Sequence, residues 1–261
     1  MTTADKNPDN RWIYENCYNH ANYELNSGNR YDQYMYSLRF SLVEKYAQGG
    51  DVLDLCCGTG SYLLPVAEKV RHIAGLDFSG RALEELRLKL TPEQASCVEL
   101  VEADAREIPF KNDSFDCVYS YSSLYTIPDL DKVMNEVHRV LKPGGVTILD
   151  LGNSTSLNRL ISSSQHKRKR WARPYMFPLR TLVAMVNSAG LEIIEHRSFQ
   201  LLPMYGCPKS LLPLWPLCHP AWKHVMGIRL PGGRILDEVV SGAPGLRSLA
   251  FRHFLVGRRQ P

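Results

Sequence analysis

The residues best suited to do chemistry stand in three short groups. Asp54-Leu55-Cys56-Cys57-Gly58-Thr59-Gly60 closes one apolar run, Asp77 ends a second, and Asp104 follows a third. Glycines at 58 and 60 let the backbone turn tightly and approach a ligand closely. A helix opening behind them would offer unpaired N–H groups and a partial positive charge to an anionic group. A carboxylate at a strand end can accept hydrogen bonds from both hydroxyls of a ribose, which makes Asp77 a candidate for that role. Asp104 is placed to meet an adenine amino group. A glycine turn alone also serves as an ordinary strand–helix connection. Together with two acids at strand ends it favours an adenosine-bearing ligand. A dinucleotide fingerprint would need glycine three residues after Gly60, where this chain has Leu63.

These groups need a frame that brings strand ends together. Short apolar runs at Val52–Cys56, Ile73–Leu76, Val98–Val101, Phe115–Ser120 and Val146–Leu151 read as strands. Helical patterns lie between them: Ser61–Val70, a helix capped by Ser79 and running through Leu90 to a stop at Pro92, and Leu130–Leu141 before Pro143-Gly144-Gly145. Such alternation implies a parallel sheet with helices on both faces and right-handed crossovers. Before it, the spacing from Tyr31 to Tyr46 predicts one or two amphipathic helices ending at Gly49-Gly50. After it come a helix over Leu179–Ala189, a strand from Leu191 to Ile194, and a last strand over Leu249–Val256. Leu201–Trp222 holds five prolines and is not expected to form one regular helix.

The chain has 261 residues, enough for one domain with appendages and a large core. Its composition excludes collagen, coiled coil and wholesale disorder. Seven scattered cysteines form no CxxC pair, so neither a zinc site nor a disulfide framework is expected. The N-terminus lacks an apolar stretch and no run of about 18 apolar residues occurs, so the chain reads as soluble and cytoplasmic. Charge is uneven. Residues 1–150 carry 15 basic and 23 acidic side chains, against 16 and 4 over residues 151–261, with HKRKR at 166–170. The basic back half suits an anionic partner.

Four segments, DVLDLCCGTG, GLDFS, EADAREIPFKNDSFDCVYS and EVHRVLKPGG, occur in an order that resembles the class I S-adenosylmethionine-dependent methyltransferases, in the branch with ubiquinone and menaquinone methyltransferases. The resemblance covers roughly Asp51 to Leu151. It implies a Rossmann-like α/β fold with a seven-stranded, mostly parallel sheet and an antiparallel last strand. It also implies a helical lid over residues 1–50 and a methyltransferase domain over 51–261. In that domain 51–151 is the cofactor half, and 152–261 forms the acceptor-side cap and last strands. By the same resemblance Asp54, Gly58, Thr59 and Gly60 form the S-adenosylmethionine loop, with Cys56 where the family usually has glycine. Asp77 is the ribose acid and Phe78 its adenine-packing neighbour. Asp104 and Ala105 lie at the adenine edge, and Ser120 and Tyr121 beside the methionine amine.

Methyl transfer from a sulfonium needs in-line orientation and no covalent nucleophile, so the lack of an obvious catalytic triad is expected. A hydroxyl acceptor would gain from a general base. Candidates are Tyr125, His20 and His219, with His224 close to the last. Tyr14 and Tyr23 are candidates for contact with the sulfonium through their ring faces. Arg39 is a candidate partner of the cofactor carboxylate, or a solvated arginine on a helix face. YSYSS after the fourth strand is not the Asn/Asp-Pro-Pro-aromatic pattern of adenine and amide N-methyltransferases. With only Asp116 near, no metal is expected. The proline-rich segment reads as an apolar cap and leaves peripheral membrane contact open. A small-molecule acceptor, anionic or amphipathic and methylated at oxygen, is the expected substrate. Two alternatives stand beside it: RNA modification through the basic run, and a non-catalytic binding module of the same fold.

Overall fold

The computed structural model describes Tyr14 and residues 29–159, 174–204 and 215–261. His20, Tyr23, the HKRKR run and residues 205–214 of the proline-rich segment lie outside the described residues. The first long element is helix α1 (Arg30–Ala47), whose Asn29 cap accepts a hydrogen bond from the Asp32 N–H at 2.9 Å. Then follow β1 (Asp51–Leu55), α2 (Leu63–Ala67), β2 (His72–Asp77), α3 (Gly80–Arg87), α4 (Pro92–Ala95), β3 (Val98–Glu102) and β4 (Phe115–Ser120). The chain continues through α5 (Leu130–Val140), β5 (Leu141–Gly152), α6 (Leu179–Ser188), β6 (Leu191–Phe199), α7 (Trp215–Cys218), α8 (Trp222–Met226), α9 (Leu236–Gly242) and β7 (Arg252–Arg259).

One seven-stranded sheet has the order β3-β2-β1-β4-β5-β7-β6. The first five strands run parallel, and β7 lies antiparallel to both β5 and β6. The order reverses at β1, so β1 and β4 diverge to crossovers on opposite sides. That is where an open α/β sheet leaves a crevice at its carboxyl edge. Successive residues of each strand face opposite ways. Val52, Tyr119, Ile148 and Phe254 therefore pack with α1 and α2 on one face. Leu53, Val118, Leu149 and Leu255 pack with α5 and α6 on the other.

Ser79 caps α3 as its sequence suggested, accepting from the Ala82 N–H at 3.3 Å. The helix ends at Arg87, short of the Leu90 expected, so Pro92 is not what stops it. Pro92 opens α4, where Thr91 and Gln94 cap each other's backbone in a reciprocal box. The last strand starts at Arg252, later than the apolar pattern indicated, because Arg247–Leu249 closes a 3-10 turn first.

Helix α1 is part of the main core: Tyr31, Met35, Leu38, Leu42 and Val43 are buried in it. It is also tied to the C-terminal cap by polar contacts. The Tyr31 hydroxyl donates to Asp237 at 2.7 Å, and the Tyr34 hydroxyl donates to Glu238. Asp237 is fully buried and also accepts from the Gln200 N–H and the Ser241 hydroxyl. Lys223 of α8 pairs with Asp32 at 3.0 Å.

Candidate active site

The turn after β1 is built by backbone. The Leu76 carbonyl of β2 accepts from the N–H groups of both Cys56 and Cys57, at 2.7 and 3.1 Å. Cys56 adopts φ +65°, Gly58 +53° and Gly60 +82°. The two glycines take the left-handed conformation for different reasons. A Cβ on Gly60 would lie 2.2 Å from the Leu86 side chain, so this glycine lets α3 pack against the turn. A Cβ on Gly58 would meet nothing within 4 Å. It would project from a wall of the cleft, so this glycine keeps a cradle open. Cys56 occupies the same region with a side chain, at a cost of about 1–2 kcal/mol relative to an unstrained residue.

The cleft in front of this turn encloses about 940 Å³, part of it open to solvent. Asp54, Cys56, Gly58, Thr59, Asp77 and Phe78 form one wall, and Tyr62, Tyr121, Ser122 and Thr126 another. Asp77 is buried, and its two oxygens accept from the N–H groups of Gly58 at 2.9 Å and Ser79 at 3.0 Å. Asp54 lies deeper, accepting from the Tyr119 hydroxyl at 2.9 Å. Burial, against the pull of that hydrogen bond and with the help of the Asp77 charge, pushes its pKa up to about 8. A cationic group entering the cleft would restore its ionised form. Burial, with the charges of Asp54 and Asp77 nearby, pushes the Cys56 and Cys57 thiols well above their ordinary value, so neither is a nucleophile.

Tyr14 lines the cleft, with its ring edge-on to Phe78 at 5.6 Å and its hydroxyl 3.4 Å from Thr126. Of the other expected cofactor residues, Asp54, Cys56, Gly58, Thr59, Asp77, Phe78 and Tyr121 share its walls. Asp104 is not among them. Its carboxylate is half exposed and held in a fork by Arg106, at 2.7 Å, with the Arg106 N–H closing the turn. Ala105 is packed in the core, and Ser120 is fully buried with no hydrogen-bond partner for its hydroxyl.

Arg39 is neither on a solvated face nor on the cleft wall. It is buried and pairs with Asp150 at 3.2 Å, donates to the Tyr62 hydroxyl at 2.8 Å, and lies within 5.7 Å of the Tyr62, Tyr121 and Phe254 rings. Among the base candidates, Tyr125 packs its ring toward Phe251 at 6.1 Å, outside the cleft wall. His219 sits on the cap, where its Nδ1 accepts from the Ala221 N–H. Sequence reading missed Tyr62, Ser122, Asp150 and Arg252. An acid inside the apolar run Thr147–Leu151 was the one available signal.

The sequence profile of a methyltransferase-domain family matches residues 53–149. A demethylmenaquinone methyltransferase of Listeria monocytogenes serotype 4a is 43% identical over 101 residues, which span 38% of this chain and 43% of that protein. The chain thus matches under half the length of the Listeria relative. The demethylmenaquinone methyltransferase of Lysinibacillus sphaericus is 30% identical over 174 residues, 58% of this chain and 74% of its own length. A solved S-adenosylmethionine-dependent methyltransferase from Mesorhizobium loti has the same fold, with TM-score 0.58 and 16% identity over 85% of this chain and 96% of its own. The fold and the cleft define a class I S-adenosylmethionine-dependent methyltransferase architecture. The chain belongs to the methyltransferase-domain family, in its menaquinone and ubiquinone type, whose cofactor is S-adenosylmethionine. No helix among the described residues is long and apolar enough to cross a membrane.

Proposed function

We propose that this protein transfers a methyl group from S-adenosylmethionine to the hydroxyl oxygen of a small amphipathic acceptor. The observation that carries the reading is the convergence of Asp54, Gly58 and Asp77 on one cleft. Gly58 supplies the open cradle and Asp77 a buried carboxylate for a ribose diol. Asp54 supplies a carboxyl that ionises when a cation arrives. When bound, the cofactor contributes an electrophilic methyl on a good leaving group. The remaining work falls to this chain: to hold two partners in line and to exclude water. Orientation of that kind accounts for as much as about 7–11 kcal/mol of barrier lowering.

In this reading Tyr14 and Phe78 cover the adenine side, and Tyr62 and Tyr121 form the aromatic floor on which the acceptor rests. Asp104 joins the cofactor only by giving up part of its fork with Arg106, so it contributes less than Asp77. Tyr14, which lines the cleft, is the lid's contact with it, while α1 belongs to the core. The names of the Listeria and Lysinibacillus relatives make a hydroxylated ring with an apolar tail the first acceptor to try.

Calorimetry with S-adenosylhomocysteine tests the cofactor half. One-site binding is expected, and absence of binding heat over several temperatures would refute the reading. Mass spectrometry of reactions with S-adenosylmethionine and demethylmenaquinol of short tail tests the acceptor half. A gain of one methyl is the expected product; a product that no longer re-oxidises to the quinone carries it on oxygen, and one that still re-oxidises carries it on ring carbon and overturns the oxygen assignment.

A further inference from the structure

The same cleft that Asp54 and Asp77 line also carries Ser122, a member of a cluster assembled from four distant parts of the chain. Asp150, at the end of β5, is fully buried. Its Oδ2 takes Arg39 of α1 at 3.2 Å and Arg252 of β7, as well as the Ser122 N–H at 3.2 Å. Two guanidiniums share one carboxylate oxygen inside the protein. Asp150 Oδ1 and Arg39 Nε are buried with no hydrogen-bond partner. Buried charge of this kind is costly unless a further partner completes it.

Ser122 is the member of the cluster that reaches the cleft. It is held at φ +62°, a left-handed conformation that a serine adopts only when its surroundings impose it. Its backbone N–H is fixed on Asp150. Its Oγ accepts from Arg252 at 2.8 Å and from Arg39 at 3.4 Å. An oxygen that accepts from guanidinium groups polarises its own O–H and becomes a stronger donor. The hydroxyl itself donates to Asp150 Oδ2 at 3.4 Å, a contact long enough for an acceptor oxygen in the cleft to compete with the carboxylate for that proton.

The cleft therefore has two poles. Asp54 and Asp77 form an acidic pole that matches a cation. Ser122, backed by Arg252 and Arg39, forms a pole that matches an anionic oxygen. We infer that Ser122 is the catalytic hydrogen-bond donor to the acceptor oxygen, and that Arg252 and Asp150 are its positioning residues. This inference rests on the proposed methyl transfer and names how the acceptor is activated.

The acceptor hydroxyl gives its proton to solvent as it binds, and its oxyanion is held by the Ser122 O–H. The oxygen then forms its bond to the methyl carbon with its own electron pair, while the carbon–sulfur bond breaks and its pair stays on sulfur. The charges of oxyanion and sulfonium cancel, and no proton remains to be removed during the transfer. No general base is needed on the cleft wall, which fits the positions of Tyr125 and His219 away from it.

The test uses the full chain saturated with S-adenosylhomocysteine and 4-nitrophenol as probe, because its phenolate has its own absorbance. The bound probe is expected to ionise about tenfold more readily than the free probe, the size of one hydrogen bond to a charged group. Ser122→Gly removes the hydroxyl and suits the left-handed backbone. It should abolish the shift while the melting temperature stays equal or rises. Arg252→Gln should lose most of the shift and Arg252→Lys keep part of it. A probe that fails to bind, binds with unchanged ionisation, or keeps its shift in Ser122→Gly overturns the assignment. If S-adenosylhomocysteine binds normally in those experiments, the methyltransferase reading survives that failure. If it does not bind, both fall together.

Discussion

The two poles of the cleft are built by opposite means. The cofactor pole is local and made of backbone: Gly58, Gly60, the Leu76 carbonyl and Asp77 lie within 20 residues of one another and hold their shape through turns and strand ends. The acceptor pole is non-local and made of side chains: Arg39, Ser122, Asp150 and Arg252 meet only because β5, β7 and α1 pack side by side. A backbone site keeps its ligand while side chains around it change. A side-chain site can be retuned by single substitutions. On the proposed function, the contrast places cofactor choice with the first pole and acceptor choice with the second.

The largest effect that would sharpen this contrast is in the turn itself. Gly60→Ala forces a side chain into Leu86 and into the left-handed region, and should destabilise the fold by about 2–4 kcal/mol. Gly58→Ala meets no atom, so chemical denaturation should show a smaller loss, with cofactor affinity hit harder than stability. Equal stability losses in the two variants would break the distinction between packing glycine and cradle glycine.

Next in size is Asp77→Ala. It should weaken S-adenosylhomocysteine binding by at least about 1.5 kcal/mol in calorimetry, as loss of a charged hydrogen-bond partner does. Phenol ionisation at the other pole should be unchanged. Unchanged cofactor affinity would mean that the ribose lies elsewhere.

The smallest effect is protonic. Burial pushes the Asp54 pKa up to about 8, and a cationic ligand favours its ionised form. Binding below about pH 8 should therefore release a proton, and affinity should rise with pH until it levels off near 8. Binding heats in buffers of different ionisation enthalpy report that proton directly. Release that vanishes in Asp54→Asn would confirm the source, and release unaffected by that change would locate it elsewhere.

The same contrast explains what could be read from the sequence. The strands, their parallel order and the Asp54–Gly60 turn were legible because period-two apolar runs and glycine turns are local signals. Asp77 was legible because it ends such a run. Arg39 was misplaced between a cofactor partner and a solvated helix face, because nothing local marks the carboxylate that buries it. Ser122 carries no signal at all, since a left-handed serine is imposed by contacts with residues 28 and 130 positions away. Asp104 shows a subtler limit. Its position at a strand end was clear, but its competition with Arg106, two residues on, was not weighed.

The contacts from Tyr31 and Tyr34 to Asp237 and Glu238 join the opening helix to the closing cap. A fragment beginning at β1 would thus inherit an uncovered acid in its own interior. Tyr31 and Asp237 stand 206 positions apart, so a ribosome has to deliver the chain through α9 before this contact can close.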